Sequence, residues 1–317
     1  MIEFDPPPPT VARSLADAQA LGLKRIDAQL LLLHTLGPAC PSRAWLLAHD
    51  TQTLTTDQWA RFRAGVERRL DDEPLAYITG QQEFFGIDLR VDNRVLVPRP
   101  DTETLVQWAL DVLNRTTAGI EPLRVLDLGT GSGAIALALK ATRPDLQVSA
   151  LDASGGALTV AAANAQRLAL DVAFQQGSWL NGVVDDFDVI VSNPPYIAAH
   201  DSHLNALRHE PAQALTSGSD GLADLRCIIA QAPAHLDRGG WLLLEHGYDQ
   251  ATAVRELLHR VGFEAVQSHR DLSGIERCSG GQWVPSNATK GDRRGLSLTP
   301  AVSLPTTSAC VDPPNGR

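Results

Sequence analysis

The sequence has little of what marks secreted, membrane-spanning or metal-binding proteins. Its four cysteines, at positions 40, 227, 278 and 310, lie far apart and form no C-x-x-C pair, which argues against a zinc site and a disulfide framework. No stretch approaches the roughly 18 uninterrupted apolar residues of a membrane span. Residues 1–9 have neither the cationic nor the apolar region of a signal peptide. We therefore expect a cytoplasmic protein with no membrane partner and no metal.

The chain also lacks an excess of positive charge. It has 27 lysines and arginines against 37 aspartates and glutamates, a formal net charge of −10. No global basic field draws such a protein onto nucleic acid, so we expect no direct nucleic-acid partner. Its 317 residues suffice for one ordinary domain and a smaller one. We expect a monomer.

A helical pattern covers residues 11–74, after a head at 1–10 that we expect to be disordered. Two apolar stripes repeat at helical spacing: Ile26, Leu30 and Leu33, then Trp59, Phe62, Val66 and Leu70. Thr55 and Gln58 have the spacing of a capping box that starts the second helix, and Pro74 ends it. The segment is predicted to be a small helical bundle, either a structural appendage or a platform for docking the substrate.

Residues 75–98 are predicted to form a β-hairpin that links the bundle to the main domain. The β-like runs lie at 83–91 and 94–97, because aromatic and β-branched residues are concentrated there. A helix is predicted from Thr102 to about Leu113.

Strand and helix patterns then alternate up to residue 284. Strands are predicted at 124–128, 148–151, 172–175, 187–192, 240–245, 265–270 and 276–284, and helices at 134–141, 157–168, 222–236 and 250–261. Such alternation implies a mostly parallel sheet with helices on both faces, closed by an antiparallel pair. We predict an α/β, Rossmann-like domain with seven strands over 99–284, with ligands at the carboxyl ends of the strands. Residues 285–317 are predicted to be a disordered tail.

A glycine-rich turn follows the first of these strands. Gly129, Thr130, Gly131, Ser132 and Gly133 allow the backbone to approach a ligand and the next helix closely. The turn is not a phosphate-binding Walker loop, since no Gly-Lys-Ser/Thr follows, and its third glycine comes one residue too early for G-x-G-x-x-G.

Two acids indicate the kind of ligand that this turn would hold. Asp127, just before the turn, would repel a pyrophosphate and attract a cation. Asp152 ends the second strand, where an acid can accept both hydroxyls of a ribose. Adenosine together with a positive charge describes S-adenosylmethionine better than NAD. Trp179, after the third strand, either covers the adenine or packs in the core.

Asn193, Pro194, Pro195 and Tyr196 follow the buried strand at 187–192. The two prolines end the strand because each fixes φ and lacks an N–H group. The turn then presents rigid carbonyls, one amide and one aromatic face, which together can hold a planar –NH2 group. The alternative is a strand-ending turn with a packing tyrosine.

Three segments together resemble the release-factor glutamine N5-methyltransferase family, also called PrmC or HemK. They are Leu126–Ala134, Val191–Ile197 and Val97–Glu103. Shorter segments resemble it too: 210–211, 214–215, 220–222, 244–247 with Gln250, and 271–274 with 276–277. The resemblance covers about residues 11–284. The tetrapeptide Asn193–Tyr196 on its own is shared with DNA adenine methyltransferases, whereas Val97–Glu103 is the more specific mark.

The resemblance implies a class I methyltransferase domain behind a helical domain, with S-adenosylmethionine as the methyl donor. The acceptor would be the glutamine side chain in the Gly-Gly-Gln loop of bacterial class 1 peptide-chain release factors. Residues 129–133, Asp152, Trp179 and Asn193 would bind the donor. Residues 193–196 would bind the acceptor, with Asn193, Pro194 and Tyr196 as the catalytic residues. The chain has a Gly-Gly-Gln of its own at 280–282, in a predicted strand, which we interpret as coincidence.

Three alternatives use the same corner. An adenine amino group presents similar geometry, but DNA methylation requires base flipping and a basic DNA track. A ribosomal-protein glutamine methyltransferase is disfavoured by the segment Val97–Glu103. An inactive binding module is disfavoured by the intact glycine turn and the intact Asn193–Tyr196 corner.

Overall fold

The computed structural model describes residues 8–40, 42–116 and 121–285. The expected disordered head at 1–10 and tail at 285–317 therefore lie outside the described residues, apart from 8–10 and 285. Within the described part, no helix is both long enough and apolar enough to cross a bilayer.

Five helices form the N-terminal part of the chain. They are α1 (Val11–Ala20), α2 (Arg25–Leu36), α3 (Arg43–Ala48), α4 (Thr56–Leu70) and α5 (Leu75–Thr79). Their core is a separate apolar cluster in which Leu31, Leu32 and Phe62 are almost fully buried. The predicted capping box is confirmed: the Thr55 hydroxyl accepts from the Gln58 N–H at 3.1 Å, and the Gln58 side chain accepts from the Thr55 N–H at 2.9 Å.

The helix predicted from the spacing of Ile26, Leu30 and Leu33 is present as α2, but its most buried side chains are others. Ile26 and Leu30 are 40 % and 38 % exposed, whereas Leu31 and Leu32 are buried. Position 65 on α4 explains this, because a side chain at Gly65 would begin 3.4 Å from Leu31. The missing side chain lets α4 approach the Leu31 face of α2.

The structure also differs from the predicted positions of the strands in the linker. Strands β1 (Gln81–Phe84) and β2 (Ile87–Arg90) pair in antiparallel fashion. The hairpin therefore spans residues 81–90, and the first residues of the predicted linker belong to α5. The described structure has no strand at 94–97. Phe85 and Gly86 form the turn with φ of +48° and +80°, the conformation of a two-residue hairpin turn of type I′.

The main domain is a seven-stranded sheet, and the predicted fold class is confirmed. Its strands are β3 (Arg124–Leu128), β4 (Gln147–Asp152), β5 (Ala173–Gln176), β6 (Phe187–Ser192), β7 (Leu236–Glu245), β8 (Glu264–Arg270) and β9 (Glu276–Gln282). The helices are α6 (Glu103–Arg115), α7 (Ala134–Thr142), α8 (Gly155–Leu168), α9 (Ala223–Gln231) and α10 (Ala251–Val261). Apolar clusters lie on both faces of the sheet, as the βα alternation requires.

The order of the strands fixes where a ligand can bind. The order is β5-β4-β3-β6-β7-β9-β8, parallel except for β9, which is antiparallel to both of its neighbours. From β3 the chain first builds β4 and β5 on one side and then crosses to build β6 and β7 on the other. The order therefore reverses between β3 and β6, and the crevice beyond their carboxyl ends is the expected ligand site.

Candidate active site at the carboxyl edge of the sheet

The glycine turn joins β3 to α7 and is held against the neighbouring strand. The N–H groups of Gly129 and Thr130 donate to the carbonyl oxygen of Leu151 at 2.8 and 2.9 Å. Gly131 and Gly133 have φ of +57° and +85°, a region that favours glycine. A side chain at position 131 would meet no atom within 4 Å, so the turn has open space on that side.

Asp127 does not face a ligand, contrary to the expectation from sequence. Its side chain is fully buried beneath the turn, where one oxygen accepts from the Thr130 hydroxyl at 2.6 Å and from the Ala136 N–H at 3.2 Å. The other oxygen, Oδ1, has no partner. Burial raises the pKa of Asp127 to about 7. The residue therefore ties the glycine turn to the first turn of α7.

Asp152 lies at the end of β4, half-buried beside the glycine turn. Its Oδ2 accepts from the Gly131 N–H and its Oδ1 accepts from the Ser154 N–H, each at 2.8 Å. Burial raises the pKa of Asp152, and the two backbone bonds oppose that rise. Because a carboxylate oxygen can accept more than one hydrogen bond, each oxygen keeps capacity for a ligand hydroxyl.

Trp179 lies against the glycine turn. A side chain at Gly129 would begin 3.4 Å from the Trp179 ring. The indole N–H donates to Asp224 at 3.0 Å, which fixes the ring half-buried at the edge of an apolar cluster. The backbone of Trp179 has φ of +49°, an uncommon conformation for a bulky residue.

The corner formed by residues 193–196 is held from several sides. The Asn193 Nδ2 group donates to the Thr102 hydroxyl at 3.2 Å, and the Tyr196 hydroxyl donates to Glu245 Oε1 at 3.3 Å. The Tyr196 carbonyl accepts from Gln250 at 3.0 Å. Asn193, Pro194 and Tyr196 line a cavity of about 70 Å³.

The glycine turn and this corner are neighbours. Leu128 and Ser192 are paired in the parallel register of β3 and β6, and Gly129 and Asn193 directly follow them. Adjacent strands lie about 4.8 Å apart, so both loops rise from the same edge at the reversal of strand order. A donor held by one loop can therefore meet an acceptor held by the other.

The chain is similar over most of its length to known proteins. Residues 10–80 match the PrmC N-terminal domain, and residues 109–221 match the methyltransferase small domain. The release factor glutamine methyltransferase of Xylella fastidiosa is 48 % identical over 264 residues, covering 82 % of this chain and 94 % of that protein. That of Bordetella pertussis is 49 % identical, covering 82 % and 95 %.

The chain belongs to the release factor glutamine methyltransferase family. Solved structures support the fold. The catalytic domain of hMettl16, in complexes with hairpins 6 and 1 of the MAT2A 3′UTR, matches at TM-scores of 0.50 and 0.51. The identities are 18 % and 16 %; the matches cover 74 % and 77 % of this chain, and 83 % and 88 % of those chains. At such identities the likeness concerns the fold alone.

In this family member, the segment Val97–Glu103 lies beside the corner. Glu210 is buried and accepts from the Val97 N–H at 3.1 Å and from the Arg99 guanidinium. Arg99 also lines the cavity that Asn193 and Tyr196 border. Sequence reasoning used these residues only as marks of resemblance, because nothing in the spacing shows that they meet.

The position of the chain's own Gly-Gly-Gln tripeptide fits the interpretation that it is not an exposed acceptor loop. The tripeptide at 280–282 lies in β9, where a side chain at Gly280 would begin 2.4 Å from the Leu242 carbonyl oxygen, and Gln282 donates to Gly239. It is therefore part of a strand, and its two glycines are buried. His200 and His203 are exposed, and the described residues contain no group of three or more acids, histidines and cysteines that could hold a metal ion.

Proposed function

We propose that this protein transfers a methyl group from S-adenosylmethionine to the side-chain amide nitrogen of the glutamine in the Gly-Gly-Gln loop of bacterial class 1 release factors. The observation that carries the proposal is that Gly129 and Asn193 directly follow two paired strands, β3 and β6, at the reversal of strand order. Relatives at 48 % and 49 % identity bear the name release factor glutamine methyltransferase, which supports the acceptor. Translation termination takes place in the cytoplasm, where we place the enzyme.

The donor set of the glycine turn fits S-adenosylmethionine. Asp152 has one backbone bond on each oxygen, which orients the carboxylate and leaves it able to accept the two hydroxyls of a ribose. The ring of Trp179 offers an apolar surface beside Gly129, suited to an adenine. Thr130 and Ser132 are buried, so they contribute through their backbone. When bound, S-adenosylmethionine supplies a methyl group on a positively charged sulfur.

Asn193, Pro194 and Tyr196 orient the acceptor amide. A carboxamide nitrogen is a poor nucleophile, since its lone pair is delocalised into the carbonyl, and holding it in position can lower the barrier by about 7–11 kcal/mol in the best cases. Asn193 has its Nδ2 group engaged with Thr102, so its carbonyl oxygen is the atom left to accept an N–H of the substrate. The Pro194 carbonyl accepts the other N–H, Pro195 keeps the corner rigid, and the Tyr196 ring packs against the amide plane.

The helical bundle at 11–74 is proposed to dock the release factor. It contacts the loop that leads towards the corner, because Arg208 and His209 both bond to Asp71 at the end of α4. A protein bound to the bundle would therefore be connected to the loop that contains Glu210.

The test is transfer to defined acceptors. The full chain is incubated with methyl-labelled S-adenosylmethionine and, separately, a recombinant class 1 release factor, the same factor with its Gly-Gly-Gln glutamine replaced by alanine, and duplex DNA. We expect label on the first acceptor only, with fragmentation mass spectrometry placing one methyl group on that glutamine. Label on DNA alone, or equal label on the two release factors, would overturn the proposal.

A further inference from the structure

Glu245 is a buried carboxylate that the proposed reaction leaves unexplained. It is the last residue of β7 and is 1 % exposed. Its Oε1 accepts from the Tyr196 hydroxyl at 3.3 Å, and its Oε2 has no partner. Burial of an acid without a full set of partners is costly, so its position behind the corner requires a reason.

A second contact connects Glu245 to Asn193. The Thr102 hydroxyl accepts from the Asn193 Nδ2 group at 3.2 Å and is itself a hydrogen-bonding neighbour of the Glu245 carboxylate. Thr102 is the N-cap residue of α6, yet its side chain makes no capping bond. Its hydroxyl therefore serves this connection and not the helix end.

The connection has a fixed direction. An ionised carboxylate only accepts hydrogen bonds, and a hydroxyl has one proton to donate. If Thr102 gives its proton to Glu245, its oxygen must accept from Asn193, which orients the Asn193 NH2 group inwards. The carbonyl oxygen of Asn193 is then the atom presented to the acceptor, as an incoming –NH2 group requires.

We propose that Glu245, acting through Thr102, is a positioning residue that sets the orientation of the Asn193 amide and at the same time holds Tyr196. The inference rests on the proposed function, because it assigns the amide oxygen of Asn193 to a substrate N–H. The side chains of Asn193 and Tyr196 would then both be held in place by the buried Glu245 carboxylate.

Charged groups on the neighbouring elements influence the pH at which the Glu245 carboxylate is ionised. The positive charge of Arg277 lowers the pKa of Glu245, and the negative charge of Asp101 raises it. Arg277 is itself paired with Asp101 at 3.4 Å and with Asp271 at 3.3 Å. The thiol of Cys278, opposite Glu245 in β9, is held protonated by burial, which raises its pKa. Burial raises the pKa of Glu245 to about 7. Near neutral pH, protonation of Glu245 therefore disturbs the hydrogen-bond connection that runs from Asn193 through Thr102 to this acid.

The test compares Glu245→Gln, Thr102→Val and Thr102→Ser in the full chain, with kcat, KM for the release factor and calorimetric titration of S-adenosylmethionine. We expect kcat to fall by about 10- to 100-fold in Glu245→Gln and Thr102→Val, as for residues that orient a metal-ligating side chain through a hydrogen bond. Donor affinity should stay within about twofold, and Thr102→Ser, which keeps the hydroxyl, should restore most of kcat. The parent's kcat should rise with pH through about 7, and this step should be absent in Glu245→Gln.

The outcomes separate this inference from the proposed function. If the parent methylates the release factor and both Glu245→Gln and Thr102→Val keep kcat within about twofold, the positioning role is wrong and the function stands. Equal losses in Thr102→Ser and Thr102→Val would also overturn it, because a lost hydroxyl would not be the cause. If the parent transfers no methyl group to the release factor, the proposed function fails and this inference fails with it.

Discussion

The Ser192 hydroxyl donates a 2.7 Å hydrogen bond to the carbonyl oxygen of Leu128, joining the last residues of two neighbouring strands. Ser192 is fully buried, so water does not compete for this bond. The glycine turn and the Asn193 corner both begin at the next residue of their strands. Because the residues from which the two loops start are hydrogen-bonded to each other, the sheet sets the distance between the loops.

Asn193→Ala should reduce turnover and leave donor binding nearly intact. The variant loses the oriented amide but keeps Ser192, Gly129 and Asp152, so we expect kcat to fall by about 100-fold or more, as for the loss of one preorganised polar partner. The measurement is kcat with a release factor, alongside calorimetric titration of S-adenosylmethionine. Asn114→Ala is the control, since Asn114 is exposed and bonds to Arg143 beyond the far end of α7. A rate within about threefold of the parent would exclude the proposed role of Asn193.

Asp152→Asn should weaken donor binding. An amide has one acceptor oxygen in place of two, so it cannot accept from both Gly131 and Ser154 and still serve a ribose diol. Loss of charged hydrogen bonds of about 1.5–3 kcal/mol each predicts an affinity lower by about 10- to 100-fold. Calorimetric titration measures it, with Asp145→Asn as the control, because Asp145 precedes the opposite end of β4 and is exposed. Unchanged affinity in Asp152→Asn would remove this residue from the donor site.

Strand ends at the site could be predicted from sequence, because buried apolar runs stop there at glycine or proline. The predicted bounds of β3 and β6 agree with the structure at both ends. The β1–β2 hairpin was mispredicted because its turn contains Phe85, whose bulky aromatic side chain is typical of strands. The link between Thr102 and Glu245 could not be predicted, because they lie on separate elements that only the folded sheet brings together.

The direction in which Asp127 points was also beyond the sequence. Its place before a glycine turn suits a group that faces a ligand and equally one that lies under the turn. The Thr130 hydroxyl and the Ala136 N–H determine its orientation, because both donate hydrogen bonds to its carboxylate beneath the turn. Local spacing gives the residue its position along the chain, and packing gives it its role.

Gly133→Ala should be more destabilising than Gly131→Ala. Both glycines have positive φ, so alanine is strained at either position. Only at Gly133 does the new methyl group meet close neighbours, 2.9 Å from Leu137 and 3.3 Å from Ala161. We expect the free energy of unfolding to fall by about 1–3 kcal/mol more in Gly133→Ala, the range for overpacking. Urea denaturation of both variants measures the difference, and equal losses would show that backbone strain alone accounts for these glycines.

Asp127 should make the protein less stable as the pH rises towards neutrality. Its pKa is raised by burial from 3.8 to about 7, so the folded state holds a proton that the unfolded state releases at lower pH. The resulting stabilisation is fully present below about pH 4 and is lost as the pH rises through about 7. Urea denaturation between these pH values should show this slope, with Glu245 contributing in the same direction. Asp127→Asn removes one titrating group and keeps an oxygen for Thr130 and Ala136, so its slope should be shallower. A variant slope equal to the parent's would mean that Asp127 is ionised beneath the turn across this range.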